Sequence, residues 1–325
     1  MITQTTDKPD SPSSKRTALI NFIEVWRYQP RPDEDQQDGQ QGKLCLQTAL
    51  RIENGVAAQV ERSAKELEKG QQIAGSAWRQ ESPVILQGDS SAEIQTASQE
   101  ASVPITAMLA IPVYREFILV DVIVFGLADG NGGIELWTRD DRDELGISGS
   151  CYRGLESFEF ISRYVKFPKG AGLPGYSWKF GQPRIIDRPQ TNPDFIRSFD
   201  RDPAHIERCI GLPIGREYGY PASVLLMLSD QATPLANEMD VWHCESEAPS
   251  QEQPTPKISF QNSHSEIGSE AKQKWCQTIC DQISETRATV LVENPQELPS
   301  SEFKLGVALP IFDGQQINDV FVMLF

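Results

Sequence analysis

The sequence has few histidines, few cations and no long apolar run. It holds 3 histidines in 325 residues, and none sits in an H-E-x-x-H pattern. G-x-S-x-G and Walker sequences are also missing, so the common hydrolase and nucleotide-hydrolysis signatures have no carrier. Lys and Arg number 30 against 46 Asp and Glu, a net charge of −16. Such a chain lacks the cations that displace counterions from phosphates or dock on anionic lipid, which argues against nucleic-acid and membrane-surface partners. No apolar run approaches the roughly 20 residues of a membrane span. The 6 cysteines show no short repeating spacing, which argues against a disulfide scaffold and for a reducing, cytoplasmic compartment. Residues 1–17 lack the apolar core of a signal peptide and read as a disordered tail. No kinase, cyclase, phosphodiesterase or DNA-binding output is recognisable.

What the sequence does have is self-similarity. Ile23-Glu24-Val25-Trp26 recurs as Ile134-Glu135-Leu136-Trp137 and as Met239-Asp240-Val241-Trp242. Each copy is followed by a second tryptophan in a predicted helix: Trp78, Trp178 and Trp275. An apolar-Pro-apolar signature follows, as Ile111-Pro112-Val113, Leu212-Pro213-Ile214 and Leu309-Pro310-Ile311. A β-branched or Leu-rich run closes each copy. The same elements in the same order predict three units, 18–130, 131–232 and 233–325. Alternation makes the acid and the Trp share one strand face, read here as a strand end where that face turns polar. Residues 120–125 are apolar on both faces and need cover on both sides. A neighbouring unit or a second chain is the expected cover, so a homo-oligomer or a partner signalling protein is anticipated.

The middle unit is the clearest. Its spacing predicts a helix over 157–167 with Ser157 as N-cap, a Gly-rich turn at 169–175, a short helix stopped by Gly181, a strand over 184–187 and two closing strands. Gly170, Gly172, Leu173 and Gly175, then Gly181-Gln182-Pro183, Ile185-Ile186-Asp187, Asn192-Pro193-Asp194-Phe195 and Leu212-Pro213-Ile214 together resemble a GAF domain. The first unit matches more loosely through Gly70, Ile73, Gly75 and Ile111-Pro112-Val113. The third lacks the Gly turn and the Asn-Pro-x-Phe segment, so it is a degenerate member resting on the repeat. The expected fold is therefore α+β: three consecutive GAF-like units, each an antiparallel sheet with helices on the pocket side.

That resemblance implies a non-catalytic sensory or regulatory protein that binds a small molecule, a partner protein, or both. Its segment 184–216, with a lid over 187–208, would roof the pocket. Arg184, Arg197, Arg201 and Arg208 there suit a small anionic molecule, with Asp187, Asp194, Phe195 and His205 beside them. The competing account of the arginines is ion pairing with the interleaved acids. Two alternatives stand beside ligand sensing. One is a purely structural dimerisation module without a ligand. The other is a redox enzyme of the free methionine sulfoxide reductase type, for which the middle unit offers only Cys151 and Cys209. No cofactor is expected. The glycines of 170–175 follow a Pro-ended helix rather than a strand, so they read as a structural turn and not a dinucleotide site. Cys276 and Cys280 share a helix face at i, i+4, but without a second pair they make only a weak metal candidate.

Overall fold

The computed structural model describes residues 18–31, 42–53, 56–88, 91–197, 206–215, 221–246, 258–262 and 270–325. Among these, the chain is mostly antiparallel sheet with few helices, in an α+β arrangement. The first sheet contains β1 (Ile20–Pro30), β2 (Gly42–Glu53), β3 (Val56–Gln59), β4 (Glu66–Leu67), β5 (Val84–Gln87), β6 (Ala107–Arg115) and β7 (Ile118–Leu127), with α1 (Gln72–Gln80) and α2 (Ala92–Ala101) between strands. The second contains β8 (Gly132–Arg139), β9 (Leu145–Arg153), β10 (Arg184–Asp187), β11 (Ile206–Ile214) and β12 (Ser223–Asp230), with α3 (Glu156–Ser162) and α4 (Gly172–Phe180). The third contains β13 (Glu238–Ser246), β14 (Ile258–Asn262), β15 (Val290–Val292), β16 (Gly306–Asp313) and β17 (Gln316–Leu324), with α5 (Glu270–Thr286).

All three sheets have one strand order. The opening strand lies in the centre beside the closing strand: β2-β1-β7-β6-β5, β9-β8-β12-β11-β10 and β14-β13-β17-β16-β15. The recurring prolines explain where pairing stops. Val84 pairs with Ala110, Arg184 with Gly211 and Val290 with Ala308, and none of the three short strands reaches the Pro two residues further on. Proline has no N–H for a ladder on that side, so the neighbouring strand ends first.

The closing strands are apolar on both faces because both are buried. Val122 and Val124 of β7 face the α1 and α2 side, whereas Ile123 and Phe125 face the other way. β12 repeats this with Val224 and Leu226 against Leu225 and Met227, and β17 with Val320 and Val322 against Phe321 and Met323. The helix-covered faces make three separate cores, one per sheet. The opposite faces of all three sheets meet in one shared core containing Val25, Ile123, Leu225, Val241 and Phe321. The chain thus supplies its own cover for the back faces, and a second chain is not needed for them.

The contacts between sheets run in a cycle. β5 lies against β9, and β10 against β13. Glu293, just after β15, accepts from Gln59 Nε2 of β3 at 2.6 Å, and Asp121 of β7 accepts from the Thr289 N–H at 2.8 Å. The linkers join at one end, where the Leu19 N–H donates to the Pro234 carbonyl at 2.7 Å and the Asn131 N–H to Thr233 Oγ1 at 3.0 Å. At the opposite end the β6–β7 and β16–β17 turns touch, the Glu116 N–H donating to the Gly314 carbonyl at 3.0 Å.

Two local expectations are corrected. The helix predicted over 157–167 is shorter and begins one residue earlier, as α3 over Glu156–Ser162, so Ser157 is not its cap. Phe158 turns into the core, but Tyr164, beyond the end of α3, is 74 % exposed. The Gly turn is structural, as anticipated. The Gly170 N–H donates to the Gly175 carbonyl at 2.8 Å, and a Cβ on Gly175 would lie 2.3 Å from the Pro168 carbonyl oxygen. The first sheet repeats this: Gly70 donates to Gly75 at 2.7 Å, with the Glu68 oxygen 2.5 Å from a Cβ on Gly75.

Candidate functional site

The acid-x-Trp signature does not mark a strand end turning polar. Glu24, Glu135 and Asp240 sit on the helix-covered face of their sheets and are buried, as are Trp26, Trp137 and Trp242. Residues i and i+2 share a face, so the indole N–H reaches the carboxylate. Trp26 Nε1 donates to Glu24 at 2.9 Å and Trp137 Nε1 to Glu135 at 2.8 Å. In the first two sheets a bulge falls immediately before the Trp. In the third the acid is one methylene shorter, and Trp242 Nε1 has no acceptor among the described residues.

A buried carboxylate needs a counter-charge, and each sheet takes one from a different place. Arg62, after β3, bridges Glu24 and Glu100 in the first unit. Burial pushes the Glu24 carboxyl up, and Arg62 pulls it back. Lys272 of α5 holds Asp240 at 2.6 Å and Glu238 at 2.5 Å in the third. In the middle unit the cation is Arg197, from the segment that follows β10.

The Arg197 centre is the most elaborate of the three. Arg197 is 3 % exposed and Glu135 fully buried. Arg197 Nη1 donates to Glu135 Oε1 at 2.6 Å and to Ser162 Oγ at 2.7 Å. The Tyr152 hydroxyl donates to the same carboxylate oxygen. Burial, then the neighbouring Glu135, push the Tyr152 phenol up, so it stays a donor across the physiological range. Four rings enclose the guanidinium: its carbon lies 4.5 Å from the Phe158 centroid, 5.2 Å from Trp137 and 5.5 Å from both Phe167 and Phe195. Arg197 Nη2 is buried and has no hydrogen-bond partner among the described residues. An unsatisfied charged donor in a low-dielectric space is expensive, and its chemistry suits a small oxyanion or carboxylate.

No family model matches the sequence, and no curated protein matches it. One solved structure that matches is described as NreA from Staphylococcus aureus mutated in its nitrate-binding site, at 15 % identity, covering 33 % of this chain and 78 % of that one with a TM-score of 0.26. A likeness that low carries no argument about chemistry here.

The structure brings only part of the anticipated arginine roof together. Phe195 and Arg197 join the buried centre, with the Phe195 ring stacked on Phe158 at 6.0 Å. Arg184 instead pairs with Asp194 at 2.5 Å and lies over the Tyr176 ring at 4.5 Å. Arg208 pairs with Asp187 at 2.5 Å. Arg201 and His205 lie outside the described residues. Sequence reasoning missed Arg62, Lys272 and the partners Tyr152 and Ser162. A buried acid repeated beside a Trp was the available signal that a cation had to be found for each unit.

Cys151 packs in the shared core and Cys209 among the helix-covered residues, so the two thiols lie on opposite faces of their sheet. Burial raises both thiols, keeping them protonated and weakly nucleophilic. Cys276 and Cys280 are buried along α5, and among the described residues no group of three or more His, Cys, Asp or Glu could hold a metal ion. No helix among the described residues is long and apolar enough to cross a membrane.

Proposed function

We propose that this chain is a non-catalytic sensory or regulatory protein of three GAF-like units, 18–130, 131–232 and 233–325, the third degenerate. Its middle unit binds a small anion through Arg197, and a partner protein supplies the output. The observation that carries this reading is the buried guanidinium of Arg197. One end is committed to Glu135 and Ser162, and the Nη2 end has no partner among the described residues and lies amid aromatic rings. The Nη2 group can donate a charge-assisted hydrogen bond to a carboxylate or small oxyanion. Glu135 holds the arginine in place when the site is empty.

A second reading is favoured by the same centre. Four rings and the guanidinium occupy the space between sheet and lid, as in a module kept only for interaction. Thermal unfolding of the full chain with nitrate, formate, acetate and inorganic phosphate separates the two. Ligand binding raises the melting temperature with one anion in proportion to its concentration, and Arg197→Lys removes the rise. No shift with any of the four, together with unchanged amide spectra, would leave the interaction reading standing alone.

A further inference from the structure

The three apolar-Pro-apolar signatures line one cavity of about 140 Å³, at the end of the molecule opposite the linkers. It is open to solvent, has polar as well as apolar atoms in its wall, and shares no lining residue with the Arg197 centre. There β6 lies against both β11 and β16. The backbone ladders fix where the prolyl carbonyls point. Leu305 and Phe325 exchange both backbone hydrogen bonds, at 3.3 and 2.9 Å. Bonded and unbonded pairs alternate along an antiparallel ladder. Pro310 opposite Val320 is therefore an unbonded pair, and its carbonyl points away from β17, to the side where β15 has already stopped. Pro112 opposite Val122 and Pro213 opposite Val224 hold the same places in their ladders, beyond the ends of β5 and β10. All three prolines are buried. Among the described residues no hydrogen bond reaches any of the three carbonyls.

We propose that this cavity binds a small primary alkylammonium ion, its N–H groups donating to the carbonyls of Pro112, Pro213 and Pro310. Buried carbonyls normally have a donor, and here three lack one. Proline carries no N–H, so each of these positions offers an acceptor only. Three acceptors, one from each sheet and in one register, match the three N–H donors of an ammonium group, which itself accepts nothing. The charged side chains bordering the cavity, Glu116, Asp313 and Lys179, are of both signs, so the carbonyls and not those charges set the class. Lys179 is engaged elsewhere, its Nζ over the exposed Phe180 ring at 5.0 Å. A volume of about 150 Å³ admits a benzene-sized molecule, which leaves room for a short alkyl chain behind the ammonium. The site stands independently of the Arg197 centre.

The test is a calorimetric titration of the full chain with n-butylammonium, tetramethylammonium and n-butanol. The three have equal numbers of non-hydrogen atoms; the first has charge and N–H donors, the second charge alone, the third one uncharged donor. Butylammonium should bind about tenfold tighter than either of the others, the worth of one net charge-assisted hydrogen bond. NMR spectra of the chain carrying isotope-labelled proline carbonyls should show the signals of Pro112, Pro213 and Pro310 moving together as butylammonium is added. Ile311→Phe adds bulk to the cavity wall from a half-buried position and should abolish binding. No binding, tetramethylammonium binding as tightly as butylammonium, any of the three carbonyl signals standing still, or binding that survives Ile311→Phe would each overturn the assignment. If Ile311→Phe lost its circular dichroism signature of folding, the carbonyl signals of the unaltered chain would still decide.

Discussion

The second and third sheets, here called the middle and third units, solve one electrostatic problem in different ways. Both bury an acid two residues before a Trp on the same face of a sheet. The middle unit neutralises Glu135 with an arginine from a loop, adds Tyr152 and Ser162, and walls the group with aromatic rings. The third neutralises Asp240 with Lys272 from a 17-residue helix that replaces the Gly turn and short helix of the other two. The acid and the Trp therefore belong to the sheet, and the cation belongs to whatever crosses above it. The loop-borne arginine keeps one end without a hydrogen-bond partner among the described residues. A lysine rooted in a long helix and held by two carboxylates is a structural pin.

Deleting the cation is the strongest way to break that contrast. Arg197→Ala should destabilise the chain by about 3–5 kcal/mol, because Glu135 is left charged and dry. Arg62→Ala should do the same through Glu24. Lys272→Ala should fall at or below the low end of that range, since its side chain keeps 13 % exposure and water can reach the gap. Urea midpoints of the three variants check the order. Equal losses at Lys272 and Arg197 would mean that the two centres are energetically alike.

The Gly turn, present in the first two units and missing in the third, gives the next effect. Gly175→Ala pushes a methyl group to 2.3 Å from the Pro168 oxygen, and Gly75→Ala to 2.5 Å from Glu68. Backbone must move in both, at a cost of about 1–3 kcal/mol by analogy with overpacking. Differential scanning calorimetry should show lowered melting for each.

Much of this was legible in the residues before any coordinates. The order of Trp, Pro and closing strand predicted the sheets, since alternation and proline act locally. The two apolar faces of residues 120–125 announced a covered back. What stayed hidden was non-local. Nothing near Glu24 marks Arg62 as its partner, and nothing near Asp240 marks Lys272. Pairing is set by the path of loops over the sheet, and a single charged residue carries no periodic signal. The arginine cluster follows the ion-pairing account for Arg184 and Arg208, which pair with the interleaved acids Asp194 and Asp187, whereas Arg197 goes to the buried Glu135, a partner far away in sequence.

Alkaline titration sharpens the contrast through the third unit's thiols. Burial pushes Cys276 up to about 12 and Cys244 to about 11, from an ordinary value of 9.0. The unfolded chain releases these protons first, so between pH 9 and about 12 it binds fewer protons than the folded chain. Stability is full below 9 and falls as pH rises through that window, by up to about 1.4 kcal/mol per pH unit per thiol. Cys276→Ala should flatten the slope of unfolding free energy measured from pH 9 to 10.5. An unchanged slope would place the alkaline sensitivity elsewhere.

A smaller effect comes from making the third unit resemble the others. Asp240→Glu lengthens the acid by one methylene and offers Trp242 Nε1 the acceptor that Trp26 and Trp137 already have. One buried hydrogen bond gained is worth about 0.5–1.5 kcal/mol, and it should appear as a raised melting temperature. A fall instead would show that α5 packs too closely over β13 to admit the extra atom.

The smallest expected effects are the most telling for the middle unit. Arg184 and Arg208 form ion pairs near the surface with Asp194 and Asp187, whose side chains are 49 % and 41 % exposed. Water screens such pairs, and each long side chain loses rotamer freedom in forming one, so Arg184→Ala and Arg208→Ala should each change stability by less than about 1 kcal/mol. Added salt should shrink even that. A roof built to hold an anion behaves differently: its arginines repel one another when empty, and removing one raises stability. Measured in urea at low and high salt, a small loss erased by salt fits surface pairing. A gain from Arg208→Ala would instead fit a crowded roof of like charges at that surface.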